Sequence, residues 1–371
     1  MREVEEIRME HGAGGEAMRE LLREIMQYFA DSENVPGDDG DVLLPKHVGS
    51  CVREEVPLDA LDDSAVFNGI VFTTDSHTVK PLFFPGGDIG SLSIAGTVND
   101  IAVMGASPVC MSAAFVIEEG FPMSDFVRVL GSMRDTAHMA SVKIVTGDTK
   151  VVEKGAVDRI IINTSAIGFR TEALEHNFDV VRDYRGRADI RWLTDSNLKD
   201  GDAIIVSGYI GDHGIALLSH REGINFDSEL KSDIAPLNKL VQEILKVGGI
   251  VAMKDPTRGG LANALNEFSE KSGVGIEIEE EKIPIRESVR SACEMLGIDP
   301  LEIGNEGKIV MGVVSEIAED VLRALRHDEL GKNAEIIGYA SEELRGVVMK
   351  TEVGGRRTVE PPIGDPVPRI C

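Results

Sequence analysis

The feature that most limits what this chain can fold into is an alternation, present in both halves, of short apolar runs with amphipathic segments joined by glycine–aspartate turns. An apolar stripe of Met18, Leu21, Leu22, Ile25, Met26 and Phe29 predicts a first, core-facing helix over Ala17–Phe29. Strands are then expected at Ala65–Phe67 and Gly69–Thr74, and the turn Pro85-Gly-Gly-Asp88 opens a helix from Ile89 to about Met104. A helix over Asp125–Ala140 leads to strands at Lys143–Thr146 and Arg159–Phe169. The second half repeats the theme. Strands are expected at Ala203–Ser207, Gly275–Ile278, Ile309–Val314 and Ala334–Tyr339, and helices at Asp212–Ser219, Ile234–Lys246, Glu287–Leu296 and Ala318–Leu325. A further helix should open after the loop Asp255-Pro-Thr-Arg-Gly-Gly260. The pattern predicts an α/β (α+β) chain of two related mixed modules.

A chain of 371 residues exceeds the roughly 250 at which single cores stop growing. The expected division is an N-terminal domain over 1–169, a C-terminal domain over 170–347 and a flexible tail over 348–371. The acidic stretch 31–55 reads as a loop insertion. The charged stretch 170–199, with the only tryptophan, Trp192, reads as an insertion or linker. In the tail, Pro361, Pro362, Pro366 and Pro368 impose an extended course that ends on Cys371.

With 38 Lys and Arg against 64 Asp and Glu, the net charge of −26 opposes diffuse attraction to nucleic acid or anionic lipid. Apolar runs such as Val103–Ser107 are far shorter than the about 20 residues that span a bilayer, so a soluble, cytoplasmic protein is expected. Cys51, Cys110, Cys293 and Cys371 form no CxxC pair, which argues against a disulfide framework or a zinc knuckle.

Chemistry concentrates on carboxylates at the ends of apolar elements: Asp62-Asp63, Thr74-Asp75-Ser76, Asn99-Asp100 and Gly147-Asp148-Thr149-Lys150. Any one of them reads equally well as a turn residue or helix cap. Several together suit a polyphosphate held through Mg²⁺, because phosphate and carboxylate repel at contact unless a divalent ion takes oxygens from both. The loops Gly86-Gly87 and Gly259-Gly260 each precede a helix and offer backbone N–H groups to an anion, although neither is a Walker or Rossmann signature. Lys150, at a strand end, suits a phosphate or a carbonyl oxygen gaining charge. Glu306, between glycines in Gly304-Asn-Glu-Gly307, suits a proton acceptor or a simple turn. A terminal thiol on a proline spacer is not what packing selects. Cys371 has no residues after it and so cannot be a prenylation site; its α-carboxylate should raise the thiol pKa and Arg369 should partly offset that.

Taken together, His11-Gly-Ala-Gly-Gly15, Thr74-Asp-Ser-His-Thr-Val79, Phe84-Pro-Gly-Gly-Asp-Ile-Gly90, Thr97-Val-Asn-Asp100, Gly147-Asp-Thr-Lys-Val-Val152, Gly211-Asp-His-Gly214 and Pro368-Arg-Ile-Cys371 resemble the HypE family of hydrogenase maturation factors. These are carbamoyl dehydratases of the aminoimidazole ribonucleotide synthetase-like (PurM-like) ATP-binding superfamily. The resemblance runs nearly end to end, and the terminal Pro-Arg-Ile-Cys is its most specific element. It implies an N-terminal domain whose sheet pairs across a homodimer into a barrel, and a C-terminal domain closing over ATP. It implies that a partner carbamoyltransferase loads the terminal thiol, that the carbamoyl group is dehydrated to a thiocyanate at the expense of ATP, and that the cyano group passes to iron on a scaffold complex for the [NiFe]-hydrogenase centre. By the same resemblance Asp63, Asp100 and Asp148 are the Mg²⁺ ligands. Asp75, Asn99, Thr149, Asp255, Arg258 and Gly259 surround the nucleotide, and Lys150 and Glu306 meet the modified Cys371. Two other readings stand beside it: a small-molecule kinase or amide-activating synthetase of the same superfamily, which would keep turnover without Cys371, and an ATP-responsive docking protein, which would leave a carbamoylated tail unchanged.

Overall fold

The structure, a computed structural model, describes Ile7 and residues 15–30, 54–186, 190–224, 230–362, 364 and 366–371. His11–Gly14 of the first motif, Cys51 and almost all of the expected 31–55 insertion lie outside the described residues.

Helix α1 (Gly15–Ala30) is followed by β1 (Glu54–Val56), β2 (Ala65–Phe67), β3 (Ile70–His77), the short pair β4 (Phe83–Phe84) and β5 (Gly87–Asp88), α2 (Ile89–Val103), β6 (Ser107–Glu118), α3 (Met123–Ala140), β7 (Lys143–Val152) and β8 (Ile160–Phe169). One sheet has the order β1-β2-β3-β8-β6-β7. Its pairs are antiparallel except β6 with β7. On β8, Ile160, Ile162, Thr164 and Ala166 are buried beneath α2, while the residues between them turn to the other face. α2 is apolar nearly all round, with Ile89, Leu92, Ile94, Val98 and Ile101 excluded from solvent. A helix of that composition must be covered on every side. Asp88 caps it, accepting from the N–H groups of Gly90 and Ser91 while Ser91 returns a bond to the Asp88 N–H.

After α4 (Glu172–Arg185), the second half runs β9 (Ala203–Val206), α5 (Asp212–Glu222), α6 (Asn238–Leu245), β10 (Ile250–Lys254), α7 (Gly260–Ser272), β11 (Gly275–Glu279), α8 (Glu287–Leu296), β12 (Val310–Val313), α9 (Ala318–Arg326), β13 (Glu335–Ser341), β14 (Val347–Lys350) and β15 (Arg356–Val359). These strands make a second sheet, β10-β12-β9-β13-β11-β14-β15. β9, β10 and β12 are buried on both faces.

Two stretches differ from expectation. The charged region after residue 170 contains α4, which Thr171 caps and which buries Leu174, Phe178 and Val181; Trp192 is buried and donates to Glu55. The tail forms β15 on the edge of the second sheet and then returns to the first half, burying Val367 and Ile370. Its prolines stiffen a segment that the fold holds down at both ends. Among the described residues no helix is long and apolar enough to cross a membrane.

Candidate active site

The site lies on the seam between the two sheets' halves of the chain, because each half delivers acids at the ends of its elements. Asp63 precedes β2, Asp75 lies on β3, Asp100 is in the last turns of α2, and Asp255 follows β10 directly. The Thr73 hydroxyl ties the first group together, 2.7 Å from Asp100 Oδ2 and 3.2 Å from the Asp63 carbonyl oxygen. Burial pushes the Asp100 carboxyl well above its ordinary range, and Asp75, Asp255 and Asp63 push it the same way. Asp255 is raised strongly too, by burial and then by Asp63, with Lys254 and Arg258 pulling back. Asp63 is raised to about 6 by burial, less than it would be without Lys254 at 3.0 Å. Three buried carboxyls raised in this way, with Asp75 beside them, are a set of hard oxygen donors short of positive charge, which is the chemistry that Mg²⁺ and a polyphosphate complete. Among the described residues no group of three or more side chains is already drawn together as a metal cage.

The last residue of the chain occupies the same place. The tail lies against the segment after β3: the Thr78 N–H donates to the Cys371 carbonyl oxygen at 3.2 Å, and the Lys80 N–H to the Arg369 carbonyl oxygen at 3.1 Å. His213 adds a bond to the Ile370 carbonyl oxygen, 2.9 Å from Nε2. Gly304 makes room for this course, since a Cβ there would stand 2.6 Å from Ile370 Cδ1 and 2.5 Å from the Thr257 carbonyl oxygen. Burial pushes the Cys371 thiol up to about 12; Arg258 opposes this, and Glu306 and Asp75 add to it. The cation at the thiol is therefore Arg258, and not Arg369 as the chain order suggested. Arg369 turns away to Asp158 at 2.8 Å. Arg258 is held firmly charged by Cys371 and then by Asp75 and Asp100.

Glu306 is 3% exposed. Burial, then Asp255, Asp233 and Asp75, raise its carboxyl well above the ordinary range, and its Oε1 is buried without a hydrogen-bond partner among the described residues. An acid so placed gains from an incoming donor. Gly259, with φ +73°, caps α7 and faces Pro362 of the tail. Asn99 is committed elsewhere: its amide donates to the carbonyl oxygens of Ala235 and Glu306, and its oxygen accepts from the Leu237 N–H. It fastens α2 to the second half and to the Glu306 turn, and these bonds occupy both ends of its amide.

Asp148, Thr149 and Lys150 are not brought to this set within one chain. They lie on β7, exposed, with Lys150 Nζ 3.3 Å from Asp148. The adjacent Thr149 N–H and then Lys150 lower the Asp148 pKa, unlike those of the buried acids. Asp75 pairs with Thr164, Thr164 with Ala113, and Ala113 with Gly147. β7 is thus three strand spacings from β3, roughly 14 Å at about 4.8 Å each.

Other groups at the site have no simple signal in the chain. Lys254 is 6% exposed and reaches Asp63, Asp195 and Glu267 at 3.0–3.2 Å, while Lys271 holds Asp195 at 2.7 Å. Burial alone would lower the Lys254 pKa, but the surrounding carboxylates raise it well above the ordinary value. Its place directly before Asp255 was the one available hint.

Residues 61–169 match the N-terminal domain of AIR synthase related proteins, and residues 199–350 their C-terminal domain. The carbamoyl dehydratase HypE of Azotobacter vinelandii is 42% identical over 98% of this chain and 97% of its own length. A solved structure of the hydrogenase maturation protein HypE in complex with ATP superposes with a TM-score of 0.75 at 38% identity, covering 99% of this chain and 100% of that one. A HypE–HypF complex matches with a TM-score of 0.76 at 45% identity, covering 91% and 99%.

Proposed function

This chain belongs to the HypE carbamoyl dehydratases, and from that premise we propose that it is an ATP-dependent enzyme whose substrate is carried on its own last residue, Cys371. The observation that carries the reading is the docking of Cys371 between Arg258 and Glu306, beside Asp75 and the buried acids Asp100 and Asp255. The reaction takes a thiocarbamate, S–C(=O)–NH₂, to a thiocyanate, S–C≡N. Oxide is too poor a leaving group to depart from carbon, so the carboxamide oxygen must first accept the γ-phosphoryl group of ATP and then leave as phosphate. The two nitrogen protons must leave as the triple bond forms, and ADP and phosphate balance the reaction.

Glu306 is assigned the nitrogen protons. Its raised pKa makes it a strong proton acceptor once ionised, and its unpartnered oxygen suits a donor arriving on the tail. Arg258 is assigned to orient the carbamoyl group at the thiol and to hold charge near the phosphate. Asp63 and Asp100 would hold Mg²⁺, which would offset the repulsion between phosphate and the four carboxyls. Lys254, 3.0 Å from Asp63 Oδ1, balances that carboxylate's charge and keeps it in place.

Asp148, Thr149 and Lys150 are assigned to the site through a second copy of the chain. Supporting this, β7 is an exposed edge strand, and the sheet face turned away from α2 exposes Phe72, Val109 and Phe169. A homodimer closing these sheets into a barrel would cover that face and bring the Lys150 ammonium to the carboxamide oxygen, where it would stabilise developing negative charge. A carbamoyltransferase of the HypF kind is the proposed loader of Cys371, an iron-scaffold complex in hydrogenase maturation the proposed acceptor of the cyano group, and the cytoplasm the proposed compartment. A thiol raised to about 12 is a poor nucleophile, so loading belongs to an undocked tail and dehydration to the docked one.

Intact-mass measurement tests the reading. Protein carbamoylated at Cys371 and given Mg·ATP should lose the mass of one water, and a mass that stays unchanged over many minutes overturns it. Removal of Cys371 with retention of small-molecule turnover would point instead to a kinase-like relative.

A further inference from the structure

His213 lies in the Gly211-Asp-His-Gly214 motif, and nothing in the reaction above uses it. It is fully buried at the start of α5, with the edge of its ring against Phe84 at 5.8 Å between centroids. Burial holds its pKa below the ordinary value, so the ring is neutral, with one donor and one acceptor nitrogen. The Ile370 carbonyl oxygen, 2.9 Å from Nε2, can only accept. The Nε2 atom therefore carries the proton, and Nδ1 accepts from the Ser232 hydroxyl at 2.8 Å. A docked tail thus selects the tautomer that receives the Ser232 O–H.

The neighbour of Ser232 continues the path. Asp233 Oδ1 accepts from the Glu306 N–H at 3.0 Å, and Lys308 stands 3.3 Å from Asp233 Oδ2. Gly307 has no side chain because a Cβ there would stand 1.8 Å from the Asp233 carbonyl oxygen. Ser232 is also pinned by its own N–H, which donates to the Pro85 carbonyl oxygen at 2.8 Å. The path Ile370, His213, Ser232, Asp233, Glu306 starts on the residue before Cys371 and ends on the backbone N–H of Glu306, the residue whose carboxyl helps to raise the Cys371 thiol pKa.

We propose that His213 is a positioning residue that senses the docked tail and, through Ser232 and Asp233, aligns Glu306 with the group carried on Cys371. The proposal rests on the reading of Cys371 as substrate carrier. When the tail leaves, Nε2 loses its acceptor, the tautomer is no longer selected, and the turn holding Glu306 loses one of its supports. The base is then set only when there is a substrate to act on.

The test uses the full chain carbamoylated at Cys371, with single-turnover loss of water followed by intact mass at saturating Mg·ATP. Alkylation of the unmodified protein by iodoacetamide reports docking separately. In Ser232→Ala the tail keeps its bond to His213 but the path is cut. Alkylation at Cys371 should stay at the wild-type rate and ATP affinity within about twofold, while dehydration slows roughly 10- to 100-fold, the scale of a reacting group displaced by about 1 Å. His213→Leu should slow dehydration at least as much and also speed alkylation, and His213→Gln, which can still donate to Ile370, should restore slow alkylation but only part of the dehydration rate. A wild-type dehydration rate in Ser232→Ala overturns the relay, and so does an alkylation rate in Ser232→Ala as fast as in His213→Leu, since the serine would then only hold the tail. Failure of the wild-type protein to lose water would instead overturn the dehydratase reading, which the alkylation measurements do not depend on.

Discussion

At the scale of single residues, the chemistry turns on two groups made unusual by burial. Cys371 is protonated when docked, with its pKa at about 12 against 9.0 for an ordinary thiol. Since the docked form holds the proton more tightly, docking keeps its full strength below pH 9 and weakens as pH rises toward 12. Alkylation by iodoacetamide should be roughly a thousandfold slower at pH 8 than for a free peptide thiol, and should still be climbing above about pH 10, where a free thiol levels off. A plateau there would mean that the tail is mostly undocked. Glu306 is the second group. Glu306→Gln keeps the volume and removes the proton acceptor, so single-turnover dehydration should fall by about 10² or more with ATP affinity nearly unchanged. Its folding stability should change by no more than about 1 kcal/mol in urea denaturation, because the wild-type carboxyl already leaves one buried oxygen unsatisfied.

At the scale of elements, β10 and the loop before β2 are locked by one lysine. Lys254 ends β10, and its Nζ meets Asp63, Asp195 and Glu267 from three separate parts of the chain. Lys254→Met should cost about 3–5 kcal/mol in urea denaturation, the range found when one partner of a buried charge group is removed and the others stay behind. Loss of less than 1 kcal/mol would mean that Lys271 and water take over its role. Most elements were legible before the fold: α8 spans the expected residues, as does β2, and α2 and α5 differ only at their ends, because a glycine or aspartate stands at or near the boundary of each. The misses share a different cause. β6 (Ser107–Glu118) and β10 are apolar runs without alternation, α4 hides its stripe among charges, and β15 is two arginines, a threonine and a valine, extended along the edge of β14.

At the scale of the whole molecule, the open question is which chain supplies β7 to which site. With Asp148 and Lys150 three strands from β3, one copy holds only part of the proposed set. If the remainder comes from a second copy, Lys150→Ala and Cys371→Ser proteins, each inactive alone, should regain activity on mixing and subunit exchange. Where the two residues of one site come from different subunits, each mixed dimer then contains one site with both defects and one with neither, so about half of the normal activity per mixed dimer is expected. No recovery after verified exchange would place both residues of a site on the same chain.

The sequence by itself determined the chemical inventory: acids at the ends of apolar elements, a glutamate between glycines, and a thiol as the final residue. Local period and residue type carry that much, because they act over a few neighbouring positions. Which groups meet was decided only by tertiary structure. Arg258, and not the adjacent Arg369, faces Cys371; Asn99 serves the backbone; Lys254 neutralises Asp63 across 191 positions of chain. The physical reason is that burial and charge act through space, so a pKa of about 12 for a terminal thiol exists only once the fold has carried it into a pocket of carboxylates with one guanidinium.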